Sequence, residues 1–197
     1  MTKAARLSLL FCLLLLSACA ETRKAYNATF HSDDVVAVEK AAPSCPVVGV
    51  VPEANAYPAF VRGSAQKSPK DLVAASYIGV FRGDCTFKDG KEADFDLEIN
   101  FGGSKGPKGR ENSAKEIKSA VFPYFIAVLS PDETILQRQA FSTKIDFDNN
   151  AEGVSKEEHT LRIPVSSPDA AHGYKIVIGF SLTPEQAAYN KQQGNKR

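Results

Sequence analysis

One stretch of the chain has side chains spaced to bind a metal ion, the segment DFDNNAEGVSKE from 146 to 157. Oxygen-bearing side chains fill positions 1, 3, 5, 7 and 12 of an EF-hand-like calcium loop: Asp146, Asp148, Asn150, Glu152 and Glu157. Ala151 stands where such a loop needs its glycine, and both flanks have the composition of strands. Because an Asp- and Asn-rich turn between two strands uses the same residues, we predict no metal site and keep calcium binding as the alternative.

A second candidate is cationic, the Gly- and Lys-rich segment GGSKGPKGRENSAKEIK from 102 to 118. Its basic residues have the charge to contact anionic lipid headgroups, a cell-wall polymer or an acidic protein: Lys105, Lys108, Arg110, Lys115 and Lys118. It lacks the Lys-Ser/Thr step into a helix that marks a phosphate-binding loop. Solvated charges in a hairpin loop explain the same composition, and we predict that simpler arrangement.

Neither the histidines nor the acidic residues form a catalytic motif. His31 lies in an irregular N-terminal stretch, His159 at a predicted strand start and His172 in a predicted turn, and none has metal-ligand spacing. The motifs GxxxxGK[ST] and GxGxxG do not occur. The letters GGSKG at 102–106 match GxSxG, but they lie in a predicted hairpin loop and not in the strand-to-helix elbow that exposes a hydrolase nucleophile. The alternating Asp94, Asp96 and Glu98 are typical of the solvent face of a strand. We therefore predict no catalytic residues and no cofactor, which makes a hydrolase the least favoured class.

The first residues predict a secretion signal with an attachment point. Lys3 and Arg6 precede a ten-residue apolar run, 7–16, which is half the length that a membrane-spanning helix needs. The tetrapeptide Leu-Ser-Ala-Cys that ends at Cys19 resembles the lipobox of bacterial lipoproteins. That resemblance implies cleavage before Cys19, lipidation of its thiol and anchoring in a membrane. Ala20 follows, and the resemblance favours the outer membrane, facing the periplasm.

The remaining cysteines are assigned by subtraction. Cys12 leaves with the signal and Cys19 carries lipid, so Cys45 and Cys85 remain in an oxidising compartment. Such a pair most often forms a disulfide. The sequence separation excludes a catalytic CxxC, and no further cysteine or histidine lies at metal-ligand spacing from either.

The net charge argues against one class of function, and the length indicates how many domains the chain has. The net charge is +1, and removing Lys3 and Arg6 with the signal leaves the mature chain close to neutral, so no basic excess points to nucleic acid. The chain divides into a signal (1–18), a tether (19–44) and one domain (45–197).

Short runs of alternating apolar residues dominate the domain. In ADFDLEINF the odd positions are apolar and the even positions polar, which predicts a half-buried strand. In the strand around SYIGVFRGDCTF we expect the odd positions Tyr77, Phe81, Cys85 and Phe87 to point inward together. We predict an all-β, immunoglobulin-like antiparallel β-sandwich of about seven strands. Thr183, Pro184 and Gln186 predict a short C-terminal helix that begins with a capping box.

The opening CP of the domain, the strand YFIAVLS and the ending GFSLTPEQAAYN resemble a group of small Gram-negative, alphaproteobacterial-type lipoproteins that end in a GFxLTxEQxxYN-like motif. The resemblance covers most of 45–190 and implies the location and the one-domain architecture. It implies no catalytic residues. Together these observations predict a non-enzymatic envelope lipoprotein that presents its sandwich to a protein partner, with a small-ligand or calcium-binding module as the alternative.

Overall fold

The computed structural model of the chain describes residues 45–64, 67–110 and 116–194. These residues form eight strands and one α-helix: β1 (Val47–Val50), β2 (Ala56–Phe60), β3 (Leu72–Lys88), β4 (Glu92–Lys105), β5 (Ser119–Leu129), β6 (Ile135–Asp146), β7 (Glu152–Pro164), β8 (Lys175–Phe180) and α1 (Pro184–Gly194). The predicted lipidation residue Cys19, the signal and the tether lie outside the described residues. Within them, no helix has the length and hydropathy to cross a membrane.

The strands form two four-stranded sheets, which confirms the predicted all-β sandwich. Sheet A has the order β1-β8-β5-β6 and sheet B the order β2-β3-β4-β7. Neighbouring strands are antiparallel except β1 and β8, which are parallel. The structure has one strand more than the predicted seven, and that strand is β2, where apolar and polar residues do not alternate. Its central Pro58 weakens the strand signal because proline lacks an N–H, yet proline is tolerated in an edge strand such as this one.

The core lies between the two sheets and follows the predicted alternation. All five odd positions of ADFDLEINF are buried on β4: Ala93, Phe95, Leu97, Ile99 and Phe101. From sheet A, Ile176, Ile178 and Phe180 of β8 are equally buried. Burying apolar surface stabilises the folded state by about 25 cal/mol per Å². The interior shared by the two sheets is therefore the main source of the domain's stability.

The predicted inward face of β3 is wrong for Tyr77. The register of β3 against β4 shifts between Ile78 and Phe81, where three steps along β3 match two along β4. A one-residue bulge changes whether the odd-numbered or the even-numbered residues of the strand face the core. Phe81 is therefore buried, whereas Tyr77 is 56% exposed.

The segment after β4 also differs from the predicted hairpin loop. β4 continues through Gly102, Gly103 and Ser104 to Lys105, and the chain then crosses from sheet B to sheet A instead of turning back beside β4. The ring of Tyr77 occupies the space above Gly102, where a Cβ atom would lie 2.1 Å from it. Glycine at this position allows the strand to continue beneath that ring.

Helix α1 begins with the predicted capping box. The Thr183 backbone N–H donates to Gln186 Oε1 at 2.9 Å, and the Gln186 N–H donates to Thr183 Oγ1 at 3.3 Å. Gln186 also donates through Nε2 to the Pro58 carbonyl at 2.7 Å, and Asn190 donates to the Ala56 carbonyl at 2.7 Å. The polar residues of the C-terminal motif thus bind the helix to the edge strand β2.

The predicted disulfide is confirmed. Cys45 and Cys85 are bonded, with their Cα atoms 5.8 Å apart. Cys45 is buried just before β1 of sheet A, and Cys85 lies on β3 of sheet B. The bond therefore links the start of the domain to the opposite sheet.

Candidate functional site

Several hydrogen-bonded polar side chains lie along one side of the sandwich, which we call the seam. There β6, the edge of sheet A, faces β7, the edge of sheet B. Thr143 of β6 and Ser155 of β7 share a hydrogen bond of 2.5 Å between their hydroxyl oxygens. Beside them the hydroxyl of Tyr124 lies 2.6 Å from His159 Nε2. Side-chain hydrogen bonds therefore bridge the two sheets here.

The Tyr124–His159 bond fixes which atom donates. Tyr124 is fully buried, and within the described residues its hydroxyl has no second hydrogen-bonding partner. If His159 Nε2 carried the proton, the tyrosine O–H would lack an acceptor, at a cost of about 1–3 kcal/mol. The tyrosine therefore donates to Nε2, and the proton of the neutral imidazole lies on Nδ1. Burial lowers the pKa of His159, which favours this neutral form.

Two neighbours complete this cluster. The ring of Phe141 lies 4.3 Å from the imidazole, centroid to centroid, and stacks on Tyr124 at 5.5 Å. Glu157 occupies the same inward face of β7 as His159 and partly offsets the effect of burial on the histidine pKa. Burial raises the pKa of Tyr124 well above its usual range, and the negative charge of Glu157 makes a smaller contribution in the same direction. The tyrosine thus acts here as a hydrogen-bond donor and stays protonated at neutral pH.

The EF-hand-like segment does not converge on a point. Glu152 begins β7 and Glu157 lies five residues farther along the strand, a distance of about 17 Å. Calcium needs its oxygen ligands at about 2.3–2.6 Å, so these carboxylates cannot share an ion. Asp148 adopts a φ of 44°, and the Asn150 N–H donates to the Phe147 carbonyl, as in a turn. Among the described residues, no three His, Cys, Asp or Glu side chains are grouped to hold a metal ion.

Lys105 is not a solvated loop residue, as was predicted for the basic segment. It ends β4 on the inward face, with its side chain fully buried. Its Nζ lies 2.5 Å from Glu116 Oε1 and 5.9 Å from the centroid of the Phe147 ring. A buried ammonium needs such partners because desolvation is costly. Of the other predicted contact residues, Lys108, Arg110 and Lys118 are exposed, and Lys115 lies outside the described residues.

Much of the outer face of sheet B is charged, and several of its charges are paired across strands, although Tyr77, Val80 and Val154 of this sheet are also exposed. Asp94 pairs with Lys88 of β3 and Arg162 of β7. Asp96 accepts a hydrogen bond from Thr160, and Glu98 pairs with Lys156 at 2.9 Å. The Lys88 hydrogen bond lowers the pKa of Asp94. The predicted solvent-facing acidic ridge is therefore a cross-strand ladder.

The middle of the outer face of sheet A, along β5, is apolar, whereas the neighbouring β6 places Lys144, Ser142 and Arg138 on the same face. Along β5 every second residue from Val121 to Leu129 points away from the core, and all five are apolar: Val121, Pro123, Phe125, Ala127 and Leu129. Val121 is 59% exposed. Ile135, which pairs with Leu129, is 60% exposed, and Val47 on β1 is 51% exposed. We call this surface the sheet A face.

Arg138 of β6 is the charged residue most closely integrated into the sheet A face. Its guanidinium lies 4.3 Å from the centroid of the Phe125 ring, which itself lies above Gly179 of β8. Within the described residues Arg138 has no carboxylate partner. A group of exposed apolar residues on one face is typical of an interaction site. This surface is not among the sites predicted from the sequence, although the unbroken apolar run VFPYFIAVL indicates a strand with two apolar faces.

No protein-family model matches the chain, and a comparison with curated proteins gives no significant match.

Proposed function

We propose that the protein is a non-enzymatic lipoprotein of the cell envelope, anchored through Cys19, whose sandwich binds a protein partner through the sheet A face. The observation that carries this proposal is the contrast between the two outer faces. Ion pairs cross much of the outer face of sheet B, although Tyr77, Val80 and Val154 of that sheet are also exposed. On sheet A, by contrast, every outward position of β5 from Val121 to Leu129 is apolar. Burying the sheet A face against another protein gains about 25 cal/mol per Å², which gives this surface a reason to be apolar.

The location rests on the lipobox-like tetrapeptide and on the disulfide. A bonded pair of cysteines in a small domain is typical of proteins that fold outside the reducing cytosol. Attached lipid gives stable anchoring when two or more chains are present. We expect the domain to face the periplasm, from the outer membrane.

The partner surface should be largely apolar and should carry a carboxylate. Arg138 supplies a guanidinium on Phe125, and such a fork binds a carboxylate through two parallel hydrogen bonds. Tryptophan, tyrosine and arginine dominate the energetics of many interfaces. Arg138 together with Phe125 therefore forms the centre of the proposed interface.

Site-specific cross-linking tests the interface in living cells. A photo-reactive residue at Val121 or Ala140, both on outward positions of sheet A, should give a discrete adduct with another envelope protein. The matched position Thr160, outward on sheet B, should give none, and Phe125→Asp should abolish the Val121 adduct. Equal adducts from both sheets would contradict the proposal. An adduct of twice the chain's mass would instead identify the partner as a second copy of this chain.

Lipid anchoring is tested separately. Cys19→Ser should move the protein from the membrane to the soluble fraction, and intact-mass analysis of the wild type should show acyl chains. Absence of acyl chains on the wild-type protein would refute the anchoring without affecting the cross-linking result.

A further inference from the structure

The cluster at the seam contains hydrogen-bonded polar side chains that packing of the interior alone does not require. Apolar side chains would fill the space between β6 and β7, yet the chain places His159 there, half-buried, with the fully buried Tyr124 as its hydrogen-bond donor. Phe141 covers the imidazole from β6. Both strands are edges, so each has a strand partner on one side alone. Side-chain contacts therefore hold this side of the sandwich closed.

We propose that Tyr124, Phe141 and His159 form an acid-sensitive clasp, which holds β6 against β7 and loosens the seam when His159 takes up a proton. Protonation turns Nε2 from a hydrogen-bond acceptor into a donor. The Tyr124 hydroxyl then loses its acceptor and has no other partner within the described residues. The same event places a positive charge against the Phe141 ring in a partly buried site.

The groups around the imidazole set the pH range. Glu157 faces it from its own strand, and Tyr124 faces it from β5. The neighbouring inward residues Phe141 of β6 and Leu97 of β4 are uncharged. Burial lowers the pKa of His159 in the folded protein below its unfolded value of about 6.5. The stabilisation is thus complete above pH 6.5 and is lost as the pH falls towards the lowered pKa.

Nearby carboxylates titrate in a separate range. Ion pairing lowers the pKa of Asp94 and of Glu98 from ordinary values near 4. Their contribution is lost below about pH 4.5, so the interval from pH 7.5 to 5 isolates the histidines. Replacing His159 alone then separates its effect from those of His31 and His172.

Urea unfolding of the full chain carrying Cys19→Ser tests the clasp between pH 7.5 and 5. For one proton taken up on unfolding, the unfolding equilibrium constant should rise up to tenfold per pH unit below pH 6.5. His159→Gln keeps an acceptor for Tyr124 but cannot titrate, so this rise should disappear. Glu157→Gln should leave the onset near pH 6.5 and extend the rise to lower pH, because it removes a charge that favours the imidazolium in the folded protein. The control Glu158→Gln changes the same charge on the outward face and should not extend the rise.

Two further measurements keep the test independent of any variant that fails to fold. In the wild type, NMR titration should show one histidine that protonates below its unfolded pKa. Hydrogen exchange, corrected for intrinsic rates, should show β6 losing protection at pH 5.5 before β3. A pH slope that persists in His159→Gln, a His159 pKa at or above 6.5, or uniform loss of protection would each overturn the proposal. None of these outcomes depends on lipidation or on the sheet A face.

Discussion

Removing the Cys45–Cys85 bond should cost this domain a large part of its stability. The bond closes a loop of 40 residues. In the chain-entropy model, such a loop restricts the unfolded chain by about 4 kcal/mol at 25 °C. Whole domains are stable by about 5–15 kcal/mol, so the loss is a sizeable fraction of the total. The bond also joins the two sheets. Without it, β1 is held by its parallel pairing with β8, which spans four residues.

The choice of substitution follows from the burial of each sulfur. Cys45 is 4% exposed, so Cys45→Ala avoids placing a new hydroxyl in the core, whereas the half-buried Cys85 accepts serine. Each single variant and the double variant should lose the same stability, because either change removes the same bond. Urea unfolding of the full chain with Cys19→Ser, compared with the reduced form of that same chain, measures the loss and supplies a matched control.

Two results would refute this reasoning. If the unfolded Cys19→Ser chain showed both thiols reactive without reductant, Cys45 and Cys85 would not be bonded. If the double variant were about 3 kcal/mol less stable than either single variant, the two cysteines would contribute independently, and loop closure would not explain the effect.

Three other outcomes follow from individual contacts. Calcium should leave the melting temperature unchanged, because Glu152 and Glu157 lie far apart on β7; a rise of several degrees at micromolar calcium would contradict this. Glu116→Gln should lower the urea midpoint by leaving the Lys105 ammonium buried without its carboxylate, whereas Lys105→Met should be tolerated; equal losses would contradict a charge effect. Gln186→Ala should cost about 1–3 kcal/mol, measured by urea unfolding, since it removes the capping bond and leaves the Pro58 carbonyl unpaired.

Local sequence patterns were sufficient to predict much of this fold. The period of two along β4 identified its buried face because side chains alternate in any extended strand. The capping box of α1 was predictable because its atoms lie within three residues of one another. The disulfide was predictable by counting, since the predicted signal and lipid anchor set aside Cys12 and Cys19 and left one pairing.

Tertiary structure decided the features that join distant segments. Tyr124 and His159 are 35 residues apart and lie on different sheets, so no local spacing predicts their hydrogen bond. The buried Lys105 likewise depends on Glu116 arriving from another segment. The bulge in β3 reversed the expected face of Tyr77 through a single extra residue, which is set by pairing with β4.

The sequence by itself determined an all-β domain with a disulfide and a short terminal helix, because strand alternation and capping act over a few residues. Which apolar faces meet is a different question, since both faces of β5 are apolar and one of them has to remain outside the core. The stacking of the two sheets buried one face of β5 and left the other outside the core. The same stacking set His159 against Tyr124 across the seam, where burial changes the chemistry of both.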